Sequence, residues 1–236
     1  MPTSALTSTL LARLSAAFES SRDDERARSM SAYMRDRFPF VGIPTRARVA
    51  IQREAVAGLP APGERDLVAF ALACWKRAER EYQYAACGYL RKHVGRCSAG
   101  FVDTAERLIT TKSWWDTVDE LAQSVVGLLV AAHPELRATT DRWIDADDFW
   151  LARTAILHQN HSKGRTDPDV LFGYCLRRAA DPEFFIRKAI GWALREYSKT
   201  DAEAVERFVR EHHDELSGLS RTEALKWLRR RGRVGA

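Results

Sequence analysis

Apolar residues recur at helical spacing along most of the chain. Hydrophobic side chains at positions i, i+3 and i+4 are typical of amphipathic α-helices, whereas the alternation expected of β-strands is almost absent. The clearest segments are "ERDLVAFALACWKRA", "FVDTAERLITTK", "DELAQSVVGLLVAAH", "DDFWLARTAILHQ", "PEFFIRKAIGWALREY" and "AEAVERFVREHH". The pattern predicts an all-α protein of roughly twelve short helices.

Helix-breaking residues separate these segments. Glycine, proline and short polar clusters mark the expected ends of helices, and they fall at 58–64, 133–135, 161–169, 181–183 and 217–220. The N-terminal stretch lacks the basic region and apolar core of a signal peptide. It reads as a first amphipathic helix with Leu6, Leu10, Leu11, Leu14 and Phe18 on one side. No apolar run approaches membrane-spanning length.

A weak internal repeat underlies the helical pattern. The segment "WLARTAI" at 150–156 aligns without gaps on "FFIRKAI" at 184–190, an offset of 34 residues. "EYQYAAC" at 81–87 falls in the same register only over its last positions. Helix pairs that recur at this period favour an α-α superhelix of HEAT-like repeats with a concave surface, forming one domain over 1–236. A compact helical bundle is the competing architecture.

Composition adds few constraints to this picture. The chain has 236 residues and a formal net charge of +5, from 37 Lys and Arg against 32 Asp and Glu. This excess permits a polyanionic partner without requiring one. The four cysteines show no CxxC pairing and lie in apolar contexts, so reduced core thiols in a cytosolic protein are expected.

The segment "KSWWDTVDELA" at 112–122 holds the first candidate site residues. In a helix, Trp115 and Asp119 project from the same face because they are four residues apart. A tryptophan at a helix start is often part of the core, and an acid in the first turn often favours the helix dipole. The pair is therefore open to a structural or a functional interpretation.

Two further residues make a functional cleft plausible. Arg153 lies in the apolar segment "FWLARTAIL" and needs an anionic partner or a cleft. Trp192 follows Gly191, a small residue that would let another backbone approach closely. Asp119 and Arg153 are 34 residues apart, and Arg153 and Trp192 are 39 apart. Both gaps are close to one repeat, so two indoles, a carboxylate and a guanidinium could line one face. Such a face suits a cationic or sugar-like group beside a phosphate. An internal ion pair of Arg153 and core packing of Trp192 are the alternatives.

Other candidate residues are weaker. His158 and His161 have HxxH spacing but no accompanying cysteine or acid, so we interpret them as surface residues and expect neither a metal site nor a cofactor. No nucleophile–histidine arrangement or glycine-rich phosphate loop is recognisable. The basic segment "ALKWLRRRGRV" at 224–234 is either a solvated helix end or a contact for a nucleic-acid backbone.

Four segments carry a resemblance to a known family. They are "AYMRDRFPFVGIPTRAR" (32–48), "KSWWDTVDELA" (112–122), "DFWLARTAIL" (148–157) and "FFIRKAIGWALREYSKT" (184–200). In order and spacing they resemble the AlkD-like alkylpurine DNA glycosylases, bacterial repair enzymes built from HEAT-like repeats. The resemblance runs from about residue 25 to residue 230.

The resemblance implies excision of positively charged N3- and N7-alkylated purines from double-stranded DNA. It implies that Asp119 is the catalytic carboxylate, that Trp115 and Trp192 pack against the deoxyribose, and that Arg153 holds the adjacent backbone. Tyr33 matches a family aromatic near the DNA. Trp114 and Asp116 are expected to be structural. The implied protein is a cytoplasmic, nucleoid-associated monomer. The alternatives are a non-catalytic binder of damaged or branched DNA and a protein-binding HEAT scaffold.

Overall fold

The computed structural model describes residues 4–233, so the last position of the basic segment 224–234 lies outside it. The described residues contain helices and no strand, which confirms the all-α prediction. None of the described helices is both long and apolar enough to span a membrane. The chain divides into two compact units with a boundary between Lys112 and Ser113. The single domain over 1–236 stays a prediction.

In residues 4–112, the first unit contains six α-helices. They are α1 (Ala5–Ser20), α2 (Asp24–Tyr33), α3 (Thr45–Val56), α4 (Glu64–Lys76), α5 (Arg80–His93) and α6 (Phe101–Thr110), with a 3₁₀ turn at Val94–Arg96. The predicted face of α1 is buried at its centre, where Leu10, Leu14 and Phe18 are fully enclosed. Helix α4 begins after the predicted break, because Gly63 serves as its N-cap and the Asp66 side chain accepts the Gly63 N–H.

A buried carboxylate organises the centre of the first unit. Glu81 of α5 is fully buried and accepts hydrogen bonds from the backbone N–H groups of Val41, Gly42 and Ile43 at 3.0, 2.9 and 3.1 Å. These bonds satisfy backbone donors that the loop after α2 would otherwise bury without partners. The acid therefore anchors this loop to α5.

The described part of the second unit, residues 113–233, contains eight α-helices. They are α7 (Trp115–Leu121), α8 (Gly127–Ala132), α9 (Arg137–Trp143), α10 (Phe149–Leu157), α11 (Pro168–Arg177), α12 (Phe184–Tyr197), α13 (Ala202–Glu211) and α14 (Gly218–Arg230). The 3₁₀ turns lie at Pro134–Leu136 and Lys163–Arg165. A π-helical segment, Ala122–Val126, joins α7 to α8. The apolar run predicted as one helix is therefore interrupted after Leu121.

Acidic N-caps determine where the central helices of this unit begin. Asp148 accepts the Trp150 N–H at 2.9 Å at the start of α10, and Glu183 accepts the Phe185 N–H at 3.0 Å at the start of α12. Such caps satisfy donors that a helix leaves open in its first turn. The break predicted at 181–183 is thus the capping segment of α12.

Helices α12 and α14 approach each other closely at Gly191. A Cβ atom at this position would lie 2.5 Å from the Glu223 Cβ and 2.8 Å from the Ser220 carbonyl oxygen. Both distances are below normal contact, so only glycine fits. The expectation that Gly191 admits another backbone is confirmed. Helix α12, which carries Trp192, is consequently held firmly against α14.

All four cysteines are buried, and none of them forms a disulfide, as expected. Burial raises the pKa of the Cys74 and Cys175 thiols well above its usual range. They behave as small core residues, because a protonated thiol is a poor nucleophile and a poor metal ligand.

Candidate active site

Helix α7 carries the first two candidate residues. It begins at Trp115, after the extended residue Trp114, and Asp119 follows one turn later. The two side chains therefore share a helix face, as the spacing predicts. Trp115 is partly exposed, whereas Trp114 is buried. Of the two adjacent indoles, only Trp115 has substantial surface open to solvent.

Asp119 and Arg153 form a buried bidentate ion pair. The Arg153 Nε atom donates to Asp119 Oδ1 at 2.7 Å, and its Nη2 atom donates to Oδ2 at 2.8 Å. The side chains are 12% and 4% exposed. Two parallel hydrogen bonds fix the plane of the carboxylate as well as its distance from the guanidinium. The sequence-predicted ion pair of Arg153 exists, and its partner is the candidate catalytic acid.

The first turn of α12 completes the surroundings of Arg153. Its Nη1 atom donates to the Phe185 carbonyl oxygen at 2.5 Å, and its guanidinium carbon lies 5.8 Å from the centre of the Phe185 ring. Three helices, α7, α10 and α12, thus converge on one guanidinium. These contacts use three of the five N–H groups of an arginine.

Opposing effects act on the ionisation of Asp119. Burial is the largest effect and raises the pKa of Asp119, because the charged form loses solvation. The charge and hydrogen bonds of Arg153 act in the opposite direction, and the nearby Asp116 carboxylate adds to the rise. The pKa lies above its ordinary value. The carboxylate is thus held largely out of water, where its attraction to a nearby positive charge is less screened than at the surface.

An aromatic cluster lies beside the ion pair and contacts it through Phe185. The Phe185 ring lies 5.1 Å from Trp114 and 5.0 Å from Trp150, and the two indoles are 5.9 Å apart. Phe149 lies 4.6 Å from Trp150. The predicted structural role of Trp114 agrees with its position in this cluster. The cluster covers one side of Arg153. It also packs the N-terminal turn of α10 against the N-terminal turn of α12.

Trp192 lies farther along α12. It is partly exposed and follows Phe185 by seven residues, so the two project from the same helix face about 10 Å apart along the axis. Helix α12 packs on α10, which carries Arg153. The structure therefore places Trp115, Asp119, Arg153 and Trp192 on three helices of one unit. Among these four residues, Asp119 and Arg153 are joined by two hydrogen bonds.

Tyr33 belongs to the first unit. It is the last residue of α2 and is 73% exposed, which is unusual for an aromatic side chain. Its role stays a prediction.

The histidine interpretation is wrong for His158. His161 is exposed, as expected, but His158 is buried at 4% exposure, and its Nδ1 atom lies 2.7 Å from the Ala155 carbonyl oxygen. Burial lowers the pKa of His158 to about 4. The lack of accompanying metal ligands suggested a surface residue, yet His158, which directly follows α10, continues the buried face of that helix. Within residues 4–233, no three His, Cys, Asp or Glu side chains gather as a metal site would need.

Sequence reasoning missed two contributors to the site. Phe185 touches Arg153 through its ring and its carbonyl, and its signal is the spacing of seven residues before Trp192. Gln123 is buried in the π-helical segment and donates from Nε2 to the Asp119 carbonyl oxygen at 3.0 Å. No local sequence pattern predicts the π-helix. Nothing in the sequence therefore indicated that Gln123 would contact Asp119.

The fold and the site define a class of protein. It is an all-α protein in which a buried aspartate–arginine pair lies beside an aromatic cluster, with a further indole on the same helix face as the acid. Comparisons with known proteins then identify the family. The family described as "DNA alkylation repair enzyme" matches residues 14–228.

A solved structure agrees with this assignment. It is described as a predicted DNA alkylation repair enzyme from Enterococcus faecalis and is 35% identical in sequence, with a TM-score of 0.81. The match covers 88% of this chain and 96% of the other. A comparison with curated proteins gave no significant match. The chain belongs to the DNA alkylation repair enzyme family, and its fold is the AlkD-like helical-repeat fold.

Proposed function

We propose that the protein is a DNA glycosylase that hydrolyses the N-glycosidic bond of positively charged N3- and N7-alkylated purines in double-stranded DNA. The family supports a DNA substrate with alkylation damage. The observation that carries the finer proposal is the bidentate Asp119–Arg153 pair on the helix face of Trp115. A carboxylate held in a fixed plane and largely removed from solvent is suited to stabilise positive charge on a sugar.

The chemistry needs only one carboxylate. An N3- or N7-alkylpurine is already cationic, so when the C1′–N bond breaks, its electron pair leaves with the base and the base becomes neutral. No acid is required to protonate it. Asp119 stabilises the oxocarbenium character that develops at C1′ and orients the water whose oxygen attacks that carbon. The proton lost by this water passes to Asp119 and then to solvent.

The aromatic and cationic residues supply binding and orientation. Trp115 and Trp192 pack against the lesion-bearing deoxyribose, and each indole face near a cation contributes about 0.5–2 kcal/mol. Arg153 keeps Asp119 aligned in the free protein, and the N–H groups that it does not use internally contact the adjacent phosphate. Tyr33 provides a further contact to DNA.

A basic surface supports binding to the DNA backbone. Lys188 and Arg195 of α12 and Lys226 of α14 surround the single carboxylate of Glu223, at 2.8, 2.5 and 3.7 Å. Three cations around one acid leave a net positive charge where α12 and α14 meet. Such charges release counterions from DNA, so affinity should fall steeply as salt rises. We propose that the protein acts as a monomer.

A base-release assay tests the proposal. Duplex DNA containing 7-methylguanine or 3-methyladenine is incubated with the wild-type protein and with Asp119→Asn, and free base is measured. We expect Asp119→Asn to lower the rate about 100- to 1,000-fold with DNA binding nearly intact. Asp116→Asn, three residues away on the same helix, is the matched control and should keep the wild-type rate.

Two results would reject the proposal. If Asp119→Asn releases base at the wild-type rate, Asp119 is not the catalytic carboxylate. A wild-type protein that binds the methylated duplex in a salt-dependent manner without releasing base would instead be a non-catalytic DNA binder. The absence of salt-dependent DNA binding would favour a protein-binding scaffold.

A further inference from the structure

The helix that carries Asp119 changes its hydrogen-bonding pattern just after the acid. Helix α7 ends at Leu121, and the π-helical segment Ala122–Val126 leads into α8. Its wider turn is closed by a hydrogen bond from the Gly127 N–H to the Ala122 carbonyl oxygen. Single π-turns insert one extra residue, are strained relative to α-helix and occur frequently at functional sites. The question is what this turn does for Asp119.

One consequence concerns the Asp119 backbone. In a regular α-helix its carbonyl would accept a hydrogen bond from the backbone N–H of the residue four positions later. That residue is Gln123. Its side-chain amide donates to this carbonyl at 3.0 Å, and the Ala122 backbone N–H donates to the same oxygen. Gln123 is buried, with only 8% of its surface exposed. A side chain thus ties the peptide unit of Asp119 to the π-helical turn.

The other consequence is a close backbone contact at Gly127. A Cβ atom there would lie 2.2 Å from the His158 carbonyl oxygen and 3.3 Å from its carbonyl carbon. His158 directly follows α10, five residues after Arg153. The neighbouring atoms are backbone, so they cannot move aside as a flexible side chain would. The π-helical turn therefore brings position 127 of α8 against the backbone at the end of α10. Only glycine fits at that position.

These contacts give the α7–α8 region two attachments to α10. The first is the Asp119–Arg153 ion pair, and the second is the backbone contact between Gly127 and His158. We propose that Gly127 and Gln123 are positioning residues that hold Asp119 in register with Arg153. Neither residue touches the reacting atoms. The inference rests on the proposed function only for its activity measurement.

A methyl group at position 127 would separate the two segments. Normal contact with an oxygen needs more than 3 Å, so the 2.2 Å approach requires a shift of about 1 Å. The ion-pair distances of 2.7 and 2.8 Å do not tolerate such a shift without losing one hydrogen bond. Misplacement of a catalytic group by about 1 Å can cost about 100-fold in rate.

The test compares two glycine-to-alanine variants of the same unit. Gly127→Ala is matched by Gly173→Ala, which lies in α11, where an added Cβ meets no atom within 4 Å. Two properties are measured, namely base release from a 7-methylguanine duplex and the titration of the Asp119 carboxyl by ¹³C NMR. The resonance is assigned by its loss in Asp119→Asn. The titration does not depend on any activity.

We expect Gly127→Ala to lose about 100-fold in base release, to move the Asp119 titration midpoint and to bind duplex DNA nearly as the wild type does. Gly173→Ala should leave all three unchanged. An unchanged Asp119 titration in folded Gly127→Ala overturns the proposal, even if activity falls, because the loss is then one of stability alone.

Gln123→Met keeps the test decisive if Gly127→Ala does not fold. It preserves the side-chain volume and removes one hydrogen bond, so a loss of about 10-fold in rate is expected together with a moved Asp119 midpoint. A wild-type titration in folded Gln123→Met overturns the role of Gln123. If the wild-type protein releases no base, the proposed function fails, and the titration still decides the positioning of Asp119.

Discussion

Two buried carboxylates, one in each unit, are held in different ways. Glu81 is fully enclosed, and its two oxygen atoms accept three backbone N–H groups of one loop. Asp119 keeps 9% of its surface exposed and is held by the side chain of Arg153. Both acids avoid the cost of an unpaired buried charge, but only Asp119 retains a solvent-facing edge.

This difference separates a structural acid from a candidate catalytic one. A fully buried carboxylate whose oxygen atoms accept backbone N–H groups has no open side for a substrate. Moving it would leave the backbone donors of its loop without partners. A carboxylate held by a guanidinium has a defined plane and an open edge, and its partner is a side chain that can also reach a phosphate. Burial alone therefore does not distinguish the two acids, whereas the nature of their partners does.

The largest stability effect is expected for Arg153→Met, which leaves Asp119 buried without its cation. Breaking a buried pair in this way costs about 3–5 kcal/mol in unfolding free energy. The variant should regain stability as the pH falls, because a carboxyl with a raised pKa is most easily buried in its protonated form. Denaturant unfolding at pH 8 and pH 5 measures both effects.

Arg22→Met is the matched control for this experiment. Arg22 pairs with Glu19 at 2.9 Å, but the two side chains are 35% and 57% exposed. Exposed pairs contribute about 0–1 kcal/mol. A loss in Arg153→Met no larger than that of Arg22→Met would mean that the buried pair adds nothing to stability.

Glu81→Gln should lower the unfolding free energy by about 2–4 kcal/mol, since hydrogen bonds to a charged acceptor are replaced by weaker ones and an amide N–H₂ faces backbone donors. The base-release rate of the folded fraction should not change. The exposed Glu54→Gln, on α3 of the same unit, should be neutral. A selective loss of activity in Glu81→Gln would contradict its structural assignment.

His158 makes the unit that contains Asp119 sensitive to acid. Its pKa is lowered to about 4 by burial, whereas the unfolded chain titrates near 6.5. The unfolded state therefore binds the proton first, and stability is lost as the pH falls from about 6.5 toward 4. The expected loss between pH 7 and pH 5 is about 2 kcal/mol. His158→Gln should flatten this dependence, and an unchanged pH profile would refute the assignment.

The smallest effect concerns the pH dependence of base release. In the proposed mechanism Asp119 acts as a carboxylate, and burial raises its pKa above the ordinary aspartate value of 3.8. The rate should therefore begin to fall at a higher pH than an exposed aspartate would give. The inflection should be absent from the residual activity of Asp119→Asn. An inflection at or below the ordinary value would show that the Arg153 charge and hydrogen bonds outweigh the effect of burial.

Much of the fold followed from local patterns. Apolar spacing predicted the helices, and glycine, proline and acidic residues marked their boundaries, because capping and φ restrictions act over a few residues. The shared face of Trp115 and Asp119 was predictable for the same reason. His158 was misread because a two-histidine spacing does not reveal whether a helix continues a buried face.

The sequence by itself determined the all-α class, the helix boundaries, the family resemblance and the residues that could form a site, since each depends on neighbours within a few turns. Only the tertiary structure decided that the partner of Arg153 is Asp119, that Phe185 and Gln123 brace this pair, and that Gly127 meets the backbone at His158. The physical reason is that helical periodicity defines the faces of each helix, whereas long-range packing selects which faces meet.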